Sequence, residues 1–142
     1  MIALRREHPI FRRRDFFQGR PMNGSANKDI VWLKPDGIEM TEDEWNKDFA
    51  RCLGVFLSGD ALQETDACGR RIGDSSFLLL FNAHHDIIPF RLPEPRPGAE
   101  WLIEIDTAFD NGAPQAGPLR GGTEYPLQGR SLALLRYIDA GA

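Results

Sequence analysis

The chain has 142 residues, 17 Lys and Arg against 21 Asp and Glu for a net charge of −4, and 42% hydrophobic content. That composition belongs to a folded globular domain and not to a disordered segment, and it lacks the positive excess of a dedicated nucleic-acid binder. No apolar run is long enough to cross a bilayer, and the short apolar stretch at the N-terminus precedes its charges, the reverse of a secretion signal, so a single cytoplasmic domain is expected.

The first twenty residues carry Arg5, Arg6, Arg12, Arg13, Arg14 and Arg20 against Glu7 and Asp15. Residues 1–7 read as one or two helical turns stopped at His8-Pro9, because a proline disfavours helix at the residue before it. A helix so short and uncapped has little stability alone. With the remainder acidic, the arginines are read as a contact surface or a solvated segment, not as a polyanion site.

From Asp29 the pattern becomes β-rich. Asp29-Ile30-Val31-Trp32-Leu33 runs into the turn Lys34-Pro35-Asp36-Gly37. Thr41 and Glu44 then form the Thr-x-x-Glu capping box, with Met40 and Trp45 at the positions of a hydrophobic staple. A short helix over residues 42–49 is expected, with Trp45 and Phe49 on one face. Leu53-Gly54-Val55-Phe56-Leu57 reads as a strand, and residues 58–76 as a long polar loop with room for a small hairpin.

Phe77-Leu78-Leu79-Leu80-Phe81 is apolar on both faces, as in a central covered strand. Residues 87–92 alternate, and Pro89 within them requires an edge position or a bulge. A proline-rich loop over residues 91–98 precedes Trp101 to Thr107, where alternation turns Trp101, Ile103 and Ile105 inward and Glu104 and Asp106 outward. Residues 108–124 read as another loop. Tyr125-Pro126-Leu127 leads to residues 131–138, for which strand is preferred over helix because Gly129 and a strand-rich chain precede them. No internal repeat is visible. Short strands between Gly/Pro loops predict an all-β antiparallel sandwich or open barrel with a helical leader and one short helix.

Chemistry is harder to find. His84-His85-Asp86 looks most like a metal site, but consecutive strand residues point to opposite faces, so a solvated or satisfied pair at a strand end is preferred. His8 offers no ligand set. Neither Cys52 nor Cys68 has a histidine nearby in sequence, and without CxxC spacing both are expected as free thiols. Gly121-Gly122 lacks the context of a phosphate cradle. Asp60, Asp66 and Asp74 share one loop, where turn-forming, solvated carboxylates are commoner than the rigid opposed pair of a glycosidase. Trp101, Trp45 and Trp32 are each read as core, the second through its staple and Phe49. No catalytic, substrate-binding or metal-ligating residue and no cofactor is assigned.

The stretch from His8-Pro9-Ile10-Phe11 through Arg12-Arg13-Arg14-Asp15-Phe16-Phe17-Gln18-Gly19-Arg20 resembles the segment leaving the catalytic barrel of bacterial glycogen debranching enzymes of the isoamylase type, in the α-amylase superfamily. The similarity continues through residues 29–33, Pro35-Asp36-Gly37, residues 42–45, residues 53–60, residues 74–85 and Gly129-Arg130-Ser131-Leu132. It implies an α-amylase-type C-terminal β-sandwich over residues 29–142, with residues 1–28 a remnant of the last barrel helix and its linker. It also implies a parent hydrolase acting on α-1,6 branch points of glycogen, with its catalytic carboxylates on a barrel outside these residues. The partner implied is that barrel. A domain that binds glycogen or α-glucan directly, or a stand-alone interaction domain, is the alternative.

Overall fold

A computed structural model describes residues 2–14, 16–19, 28–45, 51–62, 65–110, 112 and 117–139. Eight strands follow the apolar runs: β1 (Ile30–Leu33), β2 (Cys52–Leu57), β3 (Phe77–Asn82), β4 (Ile88–Arg91), β5 (Ala99–Asp106), β6 (Leu119–Arg120), β7 (Glu124–Leu127) and β8 (Ser131–Asp139). The two α-helices among the described residues, α1 (Ile2–Glu7) and α2 (Glu42–Trp45), are short. The part of the expected second helix that included Phe49 lies outside the described residues.

Six strands pair antiparallel in the order β1-β2-β3-β8-β5-β6, and β4 and β7 form a separate antiparallel ribbon. The fold is therefore all-β, a sandwich whose second sheet is only two strands wide. The 131–138 run is strand, and pairing with both β3 and β5 places it at the centre of the large sheet.

Alternation sorts the large sheet into two apolar faces. One carries Leu33, Leu78, Leu80, Trp101, Ile103 and Leu135 against Phe90, Leu92, Tyr125 and Leu127 of the ribbon and its flank. Pro89 sits at an edge, as its missing N–H demands, because every strand of a two-stranded ribbon is an edge. It stands opposite Pro126, and the next outward amide, that of Arg91, donates to the carbonyl of Pro35 in the β1–α2 connection at 2.8 Å. That connection turns at Gly37, whose φ of +82° a side chain tolerates poorly.

The other face carries Val55, Leu57, Phe77 and Leu134 and is covered by the leader through Ile10, with Leu4, Phe11 and Phe17 beside it. Two buried carboxylates hold the leader there. Asp74 accepts from His8 Nδ1 at 2.6 Å and from the Ile10 amide at 3.0 Å. Asp29, fully buried, accepts the amides of Gln18 and Gly19, each at 2.8 Å, with the Arg13 guanidinium 3.4 Å away.

Two expectations fail for geometric reasons. Alternation in β5 breaks between Ile103 and Ile105, where a bulge inserts Glu104 into the ladder with β8. Beyond the bulge the phase inverts, so Ile105 joins the leader-side face and Asp106 is fully buried instead of outward. Residues 58–76 do contain the small hairpin for which that loop left room, an antiparallel bridge joining Thr65 to Arg71, and a 3-10 turn spans Gly59–Ala61. The second failed expectation is the loop over residues 108–124, which contains β6, and Gly121-Gly122 forms the turn that leads from it into β7.

Candidate functional site

His84, His85 and Asp86 follow the end of β3 as a bend and are not part of a strand. The opposite-faces argument therefore does not apply: the two imidazoles stack with centroids 4.3 Å apart and planes 25° from parallel. Asn82 sets the bend, its Oδ1 accepting the His84 amide while its Nδ2 donates to the carbonyls of Asp86, Leu127 and Gln128. One possible ligand atom from each of the three side chains falls within 4.8 Å of the others, the one such group of three among the described residues. His84 Nδ1 already accepts the Asp86 amide at 3.1 Å, and three adjacent residues on an open bend fall short of the four ligands of a structural zinc site.

The three aspartates of the 58–76 segment separate into different roles. Asp66 is a turn-former, accepting the amides of Arg70 and Cys68, the first of which does most to hold its carboxyl below the usual range. Asp60 is exposed, 3.5 Å from Arg96. Asp74 is neither solvated nor a turn residue; it is the buried clamp on the leader, and its partner is the otherwise unassigned His8. Both thiols are free, Cys52 buried in β2 and Cys68 exposed on the Asp66 turn. Burial pushes the Cys52 thiol up to about 11, far from a nucleophile's range at neutral pH.

Of the tryptophans, only Trp101 is core, with its indole N–H donated to the Pro93 carbonyl at 2.8 Å. Trp32 is 36% exposed and Trp45 47% exposed, which corrects the core reading of both. Trp32 belongs to β1, the edge of the large sheet, and no further strand among the described residues pairs beyond it. Its ring meets that of Trp45 with centroids 5.1 Å apart and planes at 78°. One rung along, Lys34 Nζ lies 2.9 Å from Glu44 Oε1 and 3.5 Å from Asp36 Oδ2. The capping box is present in its Glu44 half: the Thr41 amide donates to Glu44 Oε2 at 2.8 Å. That bond first, and the Lys34 ammonium second, hold the Glu44 carboxyl down at about 2.

Sequence reasoning missed this aromatic corner. Its available signal was the position of Trp32 in a first strand bounded by Lys28-Asp29 and Lys34-Pro35-Asp36, with the capping box then setting Trp45 in the first turn of the next helix.

On the leader side, Arg5, Arg6 and Arg12 line a shallow concavity with Ile2, and Ile2 and Phe16 are strongly exposed. No helix among the described residues is long and apolar enough to cross a membrane.

Comparison with known proteins gives a consistent neighbourhood. The family described as "Isoamylase, C-terminal" matches residues 29–136. The "Glycogen operon protein GlgX homolog" of Mycobacterium tuberculosis (strain ATCC 25618 / H37Rv) is 47% identical over 106 residues, 74% of this chain and 15% of that protein. The protein of the same name from Mycobacterium bovis gives the same figures, 47% over 106 residues with 74% and 15% covered. The "Isoamylase" of Flavobacterium sp is 29% identical over 143 residues, 95% of this chain and 17% of that protein. The chain thus spans 15% to 17% of the length of these curated relatives.

Proposed function

The chain belongs to the isoamylase C-terminal family, and we propose on that footing that it is the non-catalytic C-terminal β-domain of a glycogen debranching enzyme. The reading is that it packs against and stabilises a catalytic barrel that hydrolyses α-1,6-glucosidic branch linkages in the cytoplasm. The observation that carries it is the coincidence of two boundaries: the family match runs from residue 29 to residue 136, and the sandwich runs from β1 at Ile30 to β8 at Asp139.

We divide the chain into residues 29–142 as the sandwich and residues 1–28 as the barrel's last helix and linker. The exposed Ile2 and Phe16 on that leader are apolar groups suited to a contact with the upstream region. Asp74 and Asp29 would then fix the angle at which the barrel meets the sandwich. We assign no catalytic residue, cofactor or metal to this chain; the His84, His85 and Asp86 bend is read as a solvated turn.

Two measurements test this. The purified chain is expected to release no linear chains from glycogen, and measurable debranching would sink the non-catalytic reading. Replacing the homologous segment of the Mycobacterium tuberculosis relative by this chain is expected to restore the melting temperature lost when that segment is deleted. A chimera no more stable than the deletion would overturn the stabilising role.

A further inference from the structure

We propose that the corner formed by Trp32 and Trp45, fringed by Lys34, Asp36 and Glu44, is a binding site for an α-1,4-linked glucan chain. The choice of sugar rests on the debranching-domain reading above; the existence of a site rests on the corner itself.

Two touching indoles that both remain over a third exposed are unusual, since large aromatic side chains carry too much apolar area to leave in water without a use. Trp101, in the same chain, shows the ordinary alternative by being fully buried. An exposed indole face is electron-rich at its centre. The axial C–H hydrogens on the flat face of a glucose ring are weakly positive, so the two surfaces stack while the equatorial hydroxyls stay free to hydrogen-bond at the rim.

The angle selects the kind of chain. At 78° the two ring planes make a corner and not a flat shelf. Consecutive units of an α-1,4 chain turn relative to one another along a helical curve, and two steeply inclined faces suit two such units. A β-1,4 chain is a flat ribbon and needs coplanar rings.

The rim supplies the polar half. The ammonium of Lys34 and the carboxylates of Asp36 and Glu44 are all partly exposed and tied to one another, so donors and acceptors for sugar hydroxyls are held in place. The backbone beneath is also fixed before any ligand arrives: Met40 donates to the Trp32 carbonyl at 2.8 Å, Lys34 to Ile38 at 2.8 Å and Gly37 to Lys34 at 2.9 Å. A preformed site loses little entropy on binding.

The test uses the whole chain. In native gels cast with glycogen it is expected to be retarded, and maltoheptaose is expected to shift its tryptophan fluorescence; Trp101 is shielded, so that signal comes from the corner. Trp32→Ala and Trp45→Ala are expected to weaken maltoheptaose binding by roughly tenfold or more with unchanged far-UV circular dichroism, and cellohexaose to bind roughly tenfold more weakly than maltoheptaose. Should a variant fail to fold, protection of the wild-type indoles from iodide quenching by maltoheptaose reads the same contact.

No retardation together with no fluorescence change at about 10 mM maltoheptaose (a range that would capture even weak sites) would overturn the proposal. So would folded variants that bind like wild type, or equal binding of cellohexaose. None of these results touches the stabilising role, which is read from the melting of the chimera.

Discussion

The phenol of Tyr125 on β7 donates a hydrogen bond to the carboxylate of Asp106 at the end of β5, and both side chains are buried. This is a polar tie between the small ribbon and the large sheet, additional to the buried Asn82 amide that donates to the Leu127 carbonyl. It exists because the β5 bulge turns Asp106 inward. Burial first, and the neighbouring carboxylate second, push the Tyr125 hydroxyl well above its ordinary value of 10.0.

Tyr125→Phe is expected to destabilise the domain by about 1–3 kcal/mol, because it leaves a buried acceptor short of a donor. Urea denaturation at pH 8 measures this. A raised folded pKa means the unfolded chain ionises first, so the Tyr125 contribution is complete below pH 10 and declines above it. Cys52 behaves alike, its contribution complete below pH 9.0 and lost as pH rises towards about 11. The wild type should therefore weaken progressively above pH 9, and Tyr125→Phe should show a shallower fall beyond pH 10. Parallel curves for the two proteins above pH 10 would refute the assignment.

Asp74→Ala is expected to cost about 3 kcal/mol, since it strips the buried Ile10 amide of its acceptor and His8 of its partner. Asp74→Asn, which keeps an acceptor for the amide, should cost less. The loss should also free the leader, so limited trypsin digestion at Arg12 to Arg14 should speed up before the sandwich is cut. Unchanged cleavage in a destabilised Asp74→Ala would mean that the carboxylate acts elsewhere.

Gly54→Ala tests the fit of the two layers. A Cβ there would stand 2.5 Å from Cζ of the fully buried Phe90, so one side chain must move. Overpacking of this kind costs about 1–3 kcal/mol. Because the conflict is with one ring, Phe90→Leu should partly relieve it, and a double-mutant cycle should give a coupling of at least about 0.5 kcal/mol. Additive effects would place the strain in the backbone.

The two thiols should differ sharply. A thiol-reactive disulfide reagent at pH 8 should titrate Cys68 within minutes and Cys52 only after denaturant is added. Equal rates would show that β2 opens readily in the folded protein.

Much of the architecture could be read from alternation and turn chemistry. The run that forms β3 is legible because a central strand is covered on both faces, β8 because Gly129 and a strand-rich chain precede it, and Pro89 announces an edge or a bulge through its missing donor. The errors share a cause: sequence period alone does not report where a ladder slips or ends. Trp101, Ile103 and Ile105 look perfectly alternating, so nothing local reveals that Glu104 is the extra residue of a bulge. His84 and His85 read as a strand end because the run before them is strand, yet Asn82 ends the ladder there by binding the bend with its own amide. Trp32 has the flanks of a core residue, and only the sheet order, which puts β1 at an edge, leaves it exposed. The clamps made by Asp29 and Asp74 join residues 10 to 66 positions apart, beyond the reach of any short-range motif.

The facing prolines of the ribbon have a further effect on solution behaviour. In an antiparallel pair the amides of a non-bonded rung point away from the partner, towards whatever lies beside the ribbon. At the Pro89–Pro126 rung neither strand has an amide to offer, and at the next non-bonded rung, Arg91–Glu124, the Arg91 amide is already taken by Pro35. A foreign strand approaching β4 therefore finds two successive donors missing. A narrow sheet, the element of a sandwich most open to unwanted pairing, is thereby protected from growing into a fibril-like stack.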